Sequence, residues 1–162
     1  MTTIKNSILS GILFGLLFGI YLGFAHSLTF ALLLGPITGL CFGIAIYFFV
    51  SSKKVNTQTQ INEDEKDIVY SGPANHFKNA EGVGGKLYLL EDKIIFKSHG
   101  FNIQNHECVV DLVQIKEVSF YNTLGLIPNG MMIRLTNNNT EKFVVNKRQN
   151  WKNEISRLKS QI

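Results

Sequence analysis

Lys86-Leu87-Tyr88-Leu89-Leu90-Glu91-Asp92-Lys93-Ile94-Ile95-Phe96-Lys97 reads as two short strands joined through a two-residue turn at Glu91-Asp92, a hairpin signature. The turn sets the register: Leu90 faces Lys93, Tyr88 faces Ile95, and Lys86 faces Lys97. Side chains alternate across a sheet, so Leu87, Leu89, Ile94 and Phe96 share one face and should line a core. Lys86 and Lys97 meet on the opposite face, a like-charge pair that is mildly destabilising.

The alternating pattern continues on both sides of this hairpin. Ile68–Ala74 is expected as a preceding strand, with Cys108–Asp111, Ile115–Tyr121, Met131–Thr136 and Glu141–Val145 following. The last two flank Asn137-Asn138-Asn139, a turn-forming triplet. Beyond them the period changes: Trp151, Ile155, Leu158 and Ile162 fall on one helical face, with Lys152, Asn153, Arg157 and Lys159 elsewhere. Seven short strands and one amphipathic helix imply an α+β fold, a small split β-barrel with a C-terminal helix plugging one end.

The N-terminal third follows different rules. From Asn6 to Ser52 there is no Asp, Glu, Lys or Arg, longer than the about 20 apolar residues of one membrane span. Spans are expected at about 7–24 and 28–50, joined by Ala25-His26-Ser27 as a tight transmembrane helical hairpin. Gly11, Gly15, Gly19 and Gly23 recur every fourth residue, and Gly35, Gly39 and Gly43 repeat the spacing. Each set lies on one helix face, where backbones can approach closely. The ladders therefore pack the hairpin on itself or pack copies together into a homo-oligomer. Pro36 is expected to kink the second span mildly. No charge lies within the membrane, which argues against an ion path. Lys5, Lys53 and Lys54 flank only the outer ends, so the positive-inside rule places both termini in the cytoplasm of a cell (inner) membrane. Gly23 and Ala25 fit the small positions of a signal-peptide cleavage site, but the apolar run is long for one and a second span follows at once.

Three segments result: an anchor over residues 1–52, a polar and acidic linker over 53–67 containing Glu63-Asp64-Glu65, and a domain over 68–162. A flexible linker of this length spans about 20 Å, which confines the domain near the membrane; its acids would repel anionic lipid. The domain carries twelve Lys or Arg against eight Asp or Glu, enough to favour an anionic surface and too little to argue for nucleic acid. Cys41 and Cys108 lie in different segments, so neither a disulfide framework nor a cysteine zinc site is indicated. Asn-, Ile- and Lys-rich usage hints at an AT-rich bacterial source.

The runs Gly84-Gly85-Lys86-Leu87-Tyr88-Leu89, Ile95-Phe96-Lys97-Ser98-His99 and Phe101-Asn102-Ile103-Gln104-Asn105-His106 are followed by Asn122-Thr123-Leu124-Gly125, Ile127-Pro128-Asn129-Gly130 and Lys142-Phe143-Val144-Val145 with Arg148 and Trp151. In this order, over about residues 68–158, they resemble the GRAM domain, in particular a bacterial branch. The resemblance implies a PH-like fold and a membrane-associated binding module without catalysis or cofactor. The turn Glu91-Asp92-Lys93 departs from the polar turn and Arg common in that family, which weakens a lipid site there.

Candidate binding residues gather at one end of the expected barrel: Lys78, Lys86 and Lys97 with His76, His99 and His106, partly offset by Glu81 and Glu107. They make an anion site for a phospholipid headgroup or an acidic peptide, and the histidines would strengthen it as pH drops through about 6.5. The plainer account is solubilising surface charge. A metal site from the three histidines is drawable, but their spacing fixes no geometry, and no metal is expected. Glu81-Gly82-Val83-Gly84-Gly85-Lys86 lacks the phosphate-loop pattern because Leu87 follows the lysine, and reads as a flexible loop entering a strand. No nucleophile motif is present; Cys108 falls in a strand pattern typical of a buried thiol. Leu126-Ile127-Pro128 sits in a loop, Asn122–Gly130, that either contacts membrane or partner or folds back as a core plug. A protein partner is thus the alternative to lipid.

Overall fold

The central hairpin forms with the expected register, Lys86 opposite Lys97, Tyr88 opposite Ile95 and Leu87 opposite Phe96. The computed structural model describes residues 2–78 and 81–162, and the chain divides into two units, Met1–Asn56 and Thr57–Ile162.

The second unit holds seven strands: β1 (Ile68–Lys78), β2 (Glu81–Leu90), β3 (Lys93–Ser98), β4 (Glu107–Asp111), β5 (Ile115–Thr123), β6 (Ile127–Leu135) and β7 (Thr140–Val145). They form one antiparallel sheet in the order β4-β3-β2-β1-β7-β6-β5. β4 and β5 are its two edges, yet only Leu112–Gln114 join them. So short a connection spans at most about 14 Å, so the sheet must curl until its edges meet. The resulting half-barrel encloses Leu87, Leu89, Ile94, Phe96, Met131, Ile133 and Phe143, all fully buried. Helix α4 (Arg148–Lys159) closes the core with Trp151, Ile155 and Leu158, as its period implied; Ile162 lies beyond the helix and is exposed.

Several segments depart from the sequence reading: β1 runs on to Lys78 where a strand ending at Ala74 was expected, and Asn122–Gly130, expected as a loop, is strand except at Leu124–Leu126. Glu81–Gly85 is strand rather than flexible loop, paired with β1 as far as Lys78 opposite Glu81. Gly85 is required there, because a Cβ would sit 2.2 Å from the Lys97 carbonyl oxygen. The segment 57–67, read as a free connector, packs on the outer face of the hairpin. Tyr88, Leu90 and Ile95 form a second small core with Ile61 and Ile68. The Tyr88 hydroxyl donates to the Thr59 carbonyl at 2.8 Å, and Lys93 pairs with Glu63 at 2.9 Å. Glu63 therefore neutralises a lysine of its own unit, and Asp64 pairs with Lys66 at 3.2 Å.

The first unit is built from α1 (Thr2–Ala25) and α2 (Leu28–Val50), and the short helix α3 (Lys53–Gln58) follows. Ser27 caps α2, its hydroxyl accepting from the Phe30 amide at 3.4 Å. Both helices are long and apolar enough to cross a bilayer, 22 and 23 residues. Their glycine faces meet: a Cβ on Gly39 would lie 2.7 Å from the Gly11 carbonyl oxygen and 2.9 Å from the Gly15 Cα. Their large side chains, Leu13, Leu16, Leu32 and Leu40 among them, point outward.

Candidate functional site

The six residues expected at one rim are divided by the sheet into an inner and an outer group. The inner group is His76, His106 and Lys78. His76 follows the parity of buried Ala74 and is 4% exposed. Its ring stacks on Phe143 with centroids 4.6 Å apart. Nε2 of His76 lies 2.7 Å from Glu141 Oε2, and Nδ1 lies 2.8 Å from Nε2 of His106. The His106 amide donates to Ser98 Oγ at 2.8 Å, which anchors that residue at the end of β3. Lys78 ends β1 and is exposed. His76 is therefore a buried, partnered histidine and is not free to take a headgroup.

The outer group is Lys86, Lys97 and His99. Lys86 Nζ sits 4.8 Å above the Tyr88 ring, a cation–π arrangement, and Lys97 Nζ is 4.0 Å from Glu107. His99 lies over Gly84, whose Cβ, if present, would be 2.7 Å from His99 Nε2. Asn102 extends the sheet here: its Oδ1 accepts from the Gly84 amide at 2.9 Å, while Nδ2 donates to the Gly84 and His99 carbonyls, each at 2.7 Å. The sequence reading missed Asn102 and the partnership of Glu141 with His76. The Glu141 signal was present in parity, since 141 shares the core-facing side with Phe143 and Val145.

Burial sets the protonation of this end. Desolvation pushes the Cys108 thiol up to about 11, which makes it a poor nucleophile at neutral pH. Desolvation also lowers His106, helped by the charges of His76 and Lys78, and lowers His99. Any gain in anion binding from these two rings thus falls below the about 6.5 of a free imidazole. His99 Nδ1 faces the Phe101 amide at 3.4 Å and Asn102 Nδ2 at 3.3 Å, the geometry of an acceptor. Protonation would set donor against donor. A histidine lowered in the folded state contributes stability that is present above about pH 6.5 and lost as pH falls through the folded value. Thermal unfolding temperature is expected to fall below about pH 6.5, and His99→Gln to flatten that fall; equal slopes in both proteins would refute the assignment.

Of Asn122–Gly130, expected as a loop, only Leu124–Leu126 lie between β5 and β6, and this turn points outward. Leu124 and Gly125 take left-handed backbone, φ 53° and 74°, and Leu124 and Leu126 are 86% and 83% exposed. Arg148 fixes the base of this loop, donating to the Tyr121 carbonyl at 2.7 Å. The core-plug alternative is thereby excluded.

A sequence profile of the GRAM domain matches residues 52–160. The chain belongs to the GRAM domain family. The match begins before Ile68, in keeping with a unit that includes 57–67. No curated protein matches the chain in sequence. Among solved structures, the N-terminal PH domain of Vps36 is similar with a TM-score of 0.50 at 11% identity, over 67% of this chain and 90% of that one. The Slm1 PH domain in complex with phosphoserine gives 0.47 at 10% identity, over 59% and 98%. A pleckstrin homology domain solved in solution gives 0.42 at 15%, over 62% and 89%. The likeness to the Vps36 domain shows that the GRAM domain here has the PH-like fold. Such domains are typically non-catalytic modules that bind lipid or protein, and the fold alone does not choose between them.

Proposed function

We propose that this GRAM protein is held in the inner membrane by its two helices and presents a non-catalytic module to anionic phospholipid at the cytoplasmic leaflet. Lys5, Lys53 and Lys54 support that side by the positive-inside rule. The observation that carries the lipid reading is the Lys86–Lys97 pair. The two lysines sit directly opposite on neighbouring strands, partly exposed. Like charges so placed cost stability, a cost that a bound phosphate would offset. Lys78 and His99 belong to the same end of the sheet. Tethering raises the effective lipid concentration, so weak headgroup affinity is sufficient.

The test uses the full chain in nanodiscs of neutral lipid, with or without anionic phospholipid, read by amide hydrogen exchange over residues 84–102. Anionic lipid is expected to protect this segment at low salt, less at high salt, and not at all in Lys86→Glu/Lys97→Glu. Equal exchange in both membranes at low salt, or protection that survives the double reversal, would sink the lipid reading.

The outward loop with Leu124 and Leu126 favours a second reading, a membrane-tethered scaffold whose protein partner covers those leucines. Assembly of copies through the glycine ladders has less support, since each ladder already faces the other within one chain.

A further inference from the structure

Core-facing positions at one end of the curled sheet hold ligand-type side chains where apolar ones would be expected. His76 on β1, Cys108 on β4 and Glu141 on β7 bring one donor atom each to within 4.8 Å of one another. β4 is three strands from β1 in the sheet order, about 14 Å away were the sheet flat. The curl therefore brings these donors together. The His76–Glu141 contact alone would satisfy those two side chains, but it accounts neither for a thiol in the same space nor for His106.

We propose that His76 Nε2, Cys108 Sγ and a Glu141 carboxylate oxygen form a three-ligand site for a divalent cation of the zinc class. Imidazole, thiolate and carboxylate together select zinc over magnesium or calcium. Tetrahedral zinc, with bonds of about 2.0–2.3 Å, places its donors about 3.2–3.8 Å apart. The ion takes the place of the proton between His76 and Glu141, whose 2.7 Å separation opens by about half an ångström to reach that range. The Cys108 thiol gives up its proton on binding, as coordinating thiols do. His106 Nε2, 2.8 Å from His76 Nδ1, accepts a hydrogen bond from the N–H that His76 keeps at Nδ1 and fixes the tautomer as a positioning residue. Water fills the fourth position from the rim, where the Glu141 side chain is 29% exposed. Lys78 ends β1 two residues beyond His76, and a like charge so near opposes a cation, so Lys78→Ala should tighten binding.

The test titrates the detergent-solubilised full chain with cobalt(II), a spectroscopic stand-in for zinc, then displaces it with zinc. One equivalent is expected, with a sulfur-to-cobalt charge-transfer band that vanishes in Cys108→Ser and persists in Cys41→Ser. His106→Ala should weaken zinc about 10–100-fold, and His99→Gln should leave it unchanged. Far-UV circular dichroism and Trp151 fluorescence check that each variant is folded. Absence of a charge-transfer band in the folded wild-type chain, or a band retained in Cys108→Ser, would overturn the proposal. Should His106→Ala fail to fold, Glu141→Gln replaces it, and undiminished zinc affinity in that variant would count equally against the site.

Discussion

Trp151→Ala is expected to cost the strand-rich unit about 3–5 kcal/mol, the range for deleting a large buried aromatic. Trp151 is 1% exposed. Its ring meets Tyr70 edge-on at 4.7 Å and lies across Gly72, where an added Cβ would come within 3.8 Å of it. Helix α4 has 12 residues and buries only Trp151, Ile155 and Leu158. A helix this short is marginal by itself, so its place on the sheet depends on these three anchors. Against a domain stability of about 5–15 kcal/mol, losing the largest anchor removes a major share. Urea unfolding of the full chain in detergent, followed by circular dichroism because the sole tryptophan is gone, measures the loss. Leu158→Ala should cost less within the about 2–5 kcal/mol usual for such truncations. A Trp151→Ala loss under about 1 kcal/mol would show that the helix is not integral to the core.

Trp151 was legible in the sequence because a helical face is a local pattern, and so was the hairpin. A two-residue turn fixes which residues oppose each other, and from Lys86 opposite Lys97 the inner and outer faces follow without further information. The segment 57–67 was not legible. Its attachment uses a backbone carbonyl, that of Thr59, and isolated apolar residues such as Ile61, neither of which produces a period. Composition described it as a linker, and only the outer face of Tyr88 and Ile95 converts it into part of the domain.

The candidate site was half legible for a related reason. In the structure, parity puts His76 and Glu141 on the inner side of their strands, but the expected first strand ended at Ala74 and left His76 outside it, and the two residues, 65 positions apart, meet only because β7 pairs with β1. Treating the rim as one cluster merged two surfaces. The lysine pair faces outward, and His76 with His106 faces inward. The strand alternation that placed Leu87 in the core had already placed Lys86 outside. The outward course of the turn Leu124–Leu126 rests on left-handed backbone at Leu124 and Gly125. Glycine invites that conformation but leucine does not, so the sequence left the loop open between plug and contact.

Gly39→Leu is the substitution expected to alter the anchor most. At Gly39 even a methyl group would meet backbone, 2.7 Å from the Gly11 carbonyl oxygen and 2.9 Å from the Gly15 Cα. Backbone cannot swing aside as a flexible side chain can, so the helices must part or slide. Helices carrying ordinary side chains pack with axes about 8–10 Å apart, and a leucine forces α1 and α2 towards that spacing. In a membrane the hydrophobic effect does not hold two apolar helices together, and close packing supplies much of the attraction. Separation therefore removes the attraction along with the contact. Spin labels placed near the middle of each helix in the reconstituted full chain should report a longer and broader distance distribution than in the unsubstituted protein. Gly23→Leu is the control, since the Cβ there meets only the Ala31 side chain at 3.6 Å. If Gly39→Leu leaves the distance unchanged while lowering the oligomeric state in detergent, the ladders join copies rather than close one hairpin. An unchanged distance together with an unchanged oligomeric state would mean that the glycines are not in register across α1 and α2 at all.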